Sequence, residues 1–75
     1  MNEKLIDIIN EILENDNRKT ISNLNNDMSL RKDLEFDSLD LAVFTVKVED
    51  EYGIDIFENG NIDSISEVLG CLENA

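Results

Sequence analysis

The sequence predicts an all-α fold: a small bundle of three main helices, with a short or irregular third turn between the second and the last. Apolar residues recur at helical spacing in three separate stretches. Signals for starting and stopping a helix stand at the ends of those stretches, with Asn2, Asp37 and Ser64-x-x-Glu67 placed to open helices and Gly53 to close one. The 75 residues contain no proline, internal repeat or low-complexity segment, so residues 1–75 are expected to form one small domain.

The first helix is expected over about Glu3 to Glu14. Leu5, Ile8, Ile9, Ile12 and Leu13 share one side of it, and Glu3 lies in the first turn, where the helix dipole favours an anion. From Asn15 to Asp37 the chain is polar, but Ile21, Leu24, Met28, Leu30 and Leu34 punctuate it, which predicts a long loop pinned to the core. The second helix is expected from Ser38 to Tyr52, ended by Gly53. Ile54-Asp55-Ile56 is a short alternating piece, and Phe57 to Asn61 reads as a turn or one irregular helical turn. The last helix is expected over about Ser64 to Glu73, where Ile65, Val68, Leu69 and Leu72 follow the capping-box pair Ser64 and Glu67.

Hydrophobic residues make up 41% of the chain and charged residues 32%, proportions of a globular domain rather than a disordered tail. The core must be aliphatic and deformable, because the only aromatics are Phe36, Phe44, Tyr52 and Phe57. The net charge is −12, unevenly spread: residues 1–32 hold six acids and five bases, residues 33–75 twelve acids and only Lys47. Such a surface repels nucleic acid and anionic membranes and steers basic protein surfaces toward itself. Neither a nucleic-acid partner nor membrane insertion is expected, the longest apolar run, Leu41 to Phe44, being far too short for a span. Cys71 is the only cysteine and histidine is absent, so no internal disulfide can form and no Cys/His metal cluster is expected. No stretch has the spacing and glycine of a calcium loop. With no signal-peptide pattern at the N-terminus, a cytoplasmic monomer is expected.

Helix two carries the functional information. At 100° per residue it separates two apolar stripes. Leu41, Phe44, Val48 and Tyr52 form one, which runs the length of the helix and is assigned to the core. Leu39, Ala42, Val43 and Val46 form the other, with Asp40, Lys47, Glu49 and Asp50 at its edges. A helix in so small a bundle needs one stripe for its core, so the second is expected to be at least partly exposed and to receive a protein partner.

Asp37 occupies the N-cap position, where its carboxylate can accept from the amide of residue 39 or 40, and Ser38 becomes the first helical residue. A phosphate ester on the Ser38 hydroxyl would sit beside unpaired helix N–H groups and the positive end of the dipole. A serine nucleophile acting as a hydrolase needs a base, and a chain without histidine lacks the usual one. Ser29-x-x-Lys32 matches the spacing of a serine–lysine pair, but the chain is too small to build the site around it. Cys71 falls off the apolar stripe of the last helix and is read as a passive thiol.

The stretch Asp33-Leu34-Glu35-Phe36-Asp37-Ser38-Leu39-Asp40, followed by Val48-Glu49-Asp50-Glu51-Tyr52-Gly53-Ile54-Asp55-Ile56, resembles the central signature of acyl carrier proteins. In that family a Leu-x-x-Asp-Ser-Leu segment opens the second helix, and an acidic run ending in an aromatic precedes a strand-like Ile-x-Ile. Length, acidity and helix layout extend the resemblance over the whole chain.

The resemblance implies an acyl-carrier-like bundle without catalytic residues, in which Ser38 bears 4'-phosphopantetheine taken from coenzyme A. A phosphopantetheinyl transferase attaches the group, and its thiol then holds an acyl unit as a thioester for acyl-loading, acyl-transferring or condensing enzymes. Asp37 and Leu39 match the flanking motif positions. Asp40, Val46, Glu49 and Asp50 match positions that family members present to partners, with Val43 and Lys47 beside them. Departures bear on the pathway: Val43 stands where fatty-acid-synthesis carriers usually show an acid, Lys47 is a base in an acidic helix, and Phe57 replaces a frequent proline. A carrier for a specialised lipid, polyketide or other acyl-transfer pathway is the first reading. A housekeeping fatty-acid-synthesis carrier and an aminoacyl carrier, such as a D-alanyl carrier, are the alternatives. From another class, an unmodified acidic interaction module that mimics nucleic acid explains the charge but not its concentration around one serine and an apolar strip.

Overall fold

Helix α1 spans Asn2–Asn15 in the computed structural model, which describes residues 2–58 and 62–73. Leu5, Ile8, Ile9, Ile12 and Leu13 all turn to the interior, as their spacing requires. The expected cap by Asn2 and the turn residues Asn59, Gly60 and Asn61 lie outside the described side chains. The helix ends in a Schellman arrangement the sequence reading missed. Asn17 adopts a left-handed φ of 59°, the Arg18 amide donates to Leu13 O at 2.8 Å and the Asn17 amide to Glu14 O at 3.0 Å. Asparagine tolerates that backbone region better than most residues.

The long connection to α2 is pinned as expected. Leu30, Leu34 and Phe36 are buried, and Ile21, Leu24 and Met28 pack partly buried against the core. Polar groups fasten it as well: Asn10 on α1 exchanges two hydrogen bonds with the Ile21 backbone, at 2.8 and 2.7 Å. A single antiparallel bridge between Ser29 and Ser64 joins the loop to the start of the last helix. Its bonds run from the Leu30 amide to Asp63 O at 2.7 Å and from the Ile65 amide to Met28 O at 2.9 Å. This crosslink holds the loop residues after Ser29 beside the start of the last helix.

Helix α2 spans Ser38–Tyr52 and α3 spans Ile65–Glu73. Gly53 closes α2 at φ 74°, its amide donating to Glu49 O at 2.7 Å, a backbone state in which glycine avoids the Cβ penalty. The Ser64/Glu67 box forms: the Ser64 amide donates to Glu67 Oε1 at 3.0 Å and the Glu67 amide to Ser64 Oγ at 3.1 Å. The three-residue alternation at Ile54 to Ile56 does not become a strand, and no named strand exists among the described residues. Asp55 Oδ1 accepts from the Phe57 amide at 3.0 Å, which turns the chain at once, while Ile56 still buries its side chain. A turn covers residues 56–58, so the described residues contain three helices and no helical segment at that point.

The interior side of α2 differs from the expected stripe. Phe44 and Val48 are fully buried, but Leu41 and Tyr52 are only half-buried, and Asp40 takes the inner position one turn before Phe44. The ring of Phe44 meets that of Phe36 at 5.9 Å, tilted by 51°, a favoured aromatic arrangement. Among the described residues no helix is long and apolar enough to cross a membrane.

Candidate functional site

The start of α2 is fixed before its first turn begins. Arg18, set at the end of α1 by the Schellman turn, donates its guanidinium to the carbonyls of Leu34 and Glu35 and pairs with the Glu35 carboxylate at 3.7 Å. Glu35 itself holds a left-handed φ of 54°. These contacts turn the chain into Asp37, which is extended at φ −88°, ψ −174°. Asp37 Oδ1 then accepts from the Asp40 amide at 2.8 Å, and Asp40 Oδ2 from the Asp37 amide at 3.3 Å. Both halves of a capping box are therefore present.

Ser38 follows as the first helical residue and is exposed. It lines an open pocket of about 300 Å³ together with Arg31, Leu41, Ala42, Thr45 and Phe57. Thr45 donates its hydroxyl proton to Leu41 O at 2.8 Å, so the lining is largely apolar, with Arg31 the one charged residue in it. A hydroxyl in this place is accessible to a large partner and lies at the positive end of a helix dipole. The arrangement suits an anchored phosphate ester with an arm lying outside the core.

Of the residues expected on the partner face, the structure separates two groups. Leu39 and Val46 are 72% and 67% exposed, and Ala42, Glu49 and Asp50 are exposed with them. These five follow helical spacing along one side of α2. The other group turns away. Asp40 is 8% exposed, and its carboxylate reaches back to the Asp37 amide. Lys47 pairs with Glu11 of α1 at 3.2 Å and keeps 30% side-chain exposure. Val43 is half-buried and packs against the core.

Burial, first of all, pushes the Asp40 carboxyl above its usual range, and the nearby Asp16 and Asp37 carboxylates add to this while the Asp37 amide opposes it. At the start of α3 the direction reverses. The Ser29 hydroxyl, at 2.5 Å, is the main group holding the Asp63 carboxyl below its ordinary value, and the Arg31 amide and guanidinium help. Glu67 is lowered chiefly by the Ser64 amide, then by that of Asp63.

Arg31 and Thr45 are the pocket residues that sequence reasoning passed over. Thr45 was within reach of a helical projection, since it lies one turn beyond Leu41. Arg31 was not, because only the pairing of Ser29 with Ser64 brings it forward. Cys71 sits partly buried against the core, with Sγ 4.0 Å from Ile56 O.

Comparison with known proteins adds one finding. A family model described as the phosphopantetheine attachment site matches residues 3–72. No curated protein and no solved structure gives a match. The matched span contains α2 whole, all but one terminal residue of α1 and of α3, and the pocket beside Ser38. The chain therefore belongs to the phosphopantetheine-attachment family, the carrier proteins whose domain is the site of covalent 4'-phosphopantetheine attachment.

Proposed function

We propose that Ser38 is the attachment residue, and that residues 1–75 act as one acyl carrier domain. The observation that carries this is the exposure of Ser38 at a capped helix N-terminus, beside an open pocket and an exposed apolar strip. In loading, Ser38 Oγ bonds to the phosphorus of coenzyme A that bears the pantetheine. The pyrophosphate P–O bond breaks, the adenosine bisphosphate leaves, and the serine proton passes to a base of the transferase. The attached group supplies a thiol that holds acyl units as thioesters. Everything else falls to this chain. The capping box orients the first turn, the polyanionic surface of residues 33–75 attracts basic enzymes, and Leu39, Ala42 and Val46 give them an apolar contact rimmed by Glu49 and Asp50.

The aliphatic core favours a fatty or other simple acyl cargo, and a specialised pathway remains the first reading. Two of the three departures behind it acquire a local cause. Lys47 serves the contact with Glu11, and Val43 packs against the core. Phe57, which lines the pocket, is the departure placed to touch the arm or its cargo. Tandem mass spectrometry of protein loaded by a promiscuous phosphopantetheinyl transferase tests the site. The added group is expected on the peptide containing Ser38; its appearance on another residue contradicts the assignment.

A further inference from the structure

A phosphate ester on Ser38 adds negative charge to the acidic half of the chain, where twelve acids face one base between residues 33 and 75. Asp37 is the adjacent residue, and its carboxylate already takes the Asp40 amide, one of the helix N–H groups otherwise open to an anion. Arg31 is the one cationic residue among those lining the pocket beside Ser38, and it comes from the other half of the sequence.

Arg31 is held there rather than merely near. Its Nη1 donates to Asp63 Oδ1 at 3.3 Å, and its own amide donates to the same oxygen at 3.2 Å. Asp63 is fixed in turn by the Ser29 hydroxyl at 2.5 Å and by the backbone bond from Leu30. Backbone and side chain of Arg31 are thus both tied to one carboxylate. A guanidinium carries five N–H donors in a planar fork. Among the described residues only Nη1 is engaged by a side chain, so the fork keeps donors for a second anion, and its geometry matches two oxygens of a phosphate.

We infer that Arg31 is a phosphate-holding residue of this carrier: its guanidinium, braced by Asp63, binds the phosphodiester formed on Ser38. The inference rests on Ser38 being the attachment residue. Asp63 also precedes the Ser64 cap of α3, its amide donating to Glu67 Oε1 at 3.2 Å. The charge pair is solvent-exposed, and its effect falls as salt rises.

The test compares apo protein with protein loaded enzymatically from coenzyme A, each confirmed by intact mass. The Arg31 Nε–Hε resonance is expected to shift on loading, and its exchange with water to slow about two- to fivefold, the range of an exposed charge pair. The phosphorus resonance of the loaded protein is expected to move in Arg31→Gln, to move less in Arg31→Lys, and to stay in place in Lys32→Gln, which removes a neighbouring charge. Mass gain with no change at Arg31 Nε–Hε overturns the inference and leaves the carrier reading intact; this readout uses the wild-type chain and does not depend on a variant folding. An equal phosphorus shift in Lys32→Gln also overturns it, since general charge then suffices. Absence of mass gain overturns both readings together.

Discussion

Ser38, Asp37 and Asp40 divide one task among three neighbours. Asp37 caps the helix, Asp40 returns the bond from inside, and Ser38 is left outward with its hydroxyl unclaimed by either. That Asp37 would cap was legible, because N-cap preference is a local property of the motif. That Asp40 would be buried was not, since its acidity argued for solvent. Asp40 has a folded-state value raised above the ordinary 3.8, so its protonated form is the one the fold prefers. Its contribution to stability is fully present below pH 3.8 and is lost as pH rises through the raised value. Asp40→Asn, which keeps an acceptor for the Asp37 amide, is therefore expected to have a urea midpoint equal to or above wild type at neutral pH, with the difference vanishing in acid. A lower midpoint at neutral pH contradicts this account of Asp40.

Helix positions were the most legible part of the chain. Expected and observed limits agree within a residue or so for all three helices, because apolar period and caps agree at each end. What the pattern did not show was how elements are fastened to one another. The stripe on α2 was read from hydropathy alone, and the buried line runs Asp40, Phe44 and Val48, with Leu41 packed only partly buried against the core. The loop's attachment to α3 depends on Ser29, Asp63, Ser64 and Glu67, which are distant in sequence and all polar. Asp63 and Glu67 both have values below their ordinary 3.8 and 4.5, so the stability they contribute is present above those values and is lost as pH falls through the lowered ones. Acid denaturation followed by circular dichroism is expected to begin below about pH 4.5 in wild type, and to be shallower in Asp63→Asn, which has less to lose. The same arrangement predicts that Ser64→Ala costs about 1 kcal/mol, the usual worth of an N-cap, read as a lower urea midpoint.

At the scale of the molecule, the proposed partner face is the exposed side of α2. Leu39 and Val46 stay exposed although the core has room only for the opposite side of α2. Val46→Asp is expected to leave helicity unchanged and to slow loading and acyl transfer by partner enzymes; loss of helicity places Val46 in the core and contradicts the assignment. The net charge of −12 predicts that association with basic partners slows as ionic strength rises. In the proposed reading the carrier role depends on Ser38 Oγ, and intact mass tests it directly. Wild-type chain incubated with coenzyme A and a promiscuous phosphopantetheinyl transferase is expected to gain the mass of one phosphopantetheine, and Ser38→Ala, with unchanged helicity, to gain none. No gain in wild type, or an equal gain in Ser38→Ala, contradicts the account.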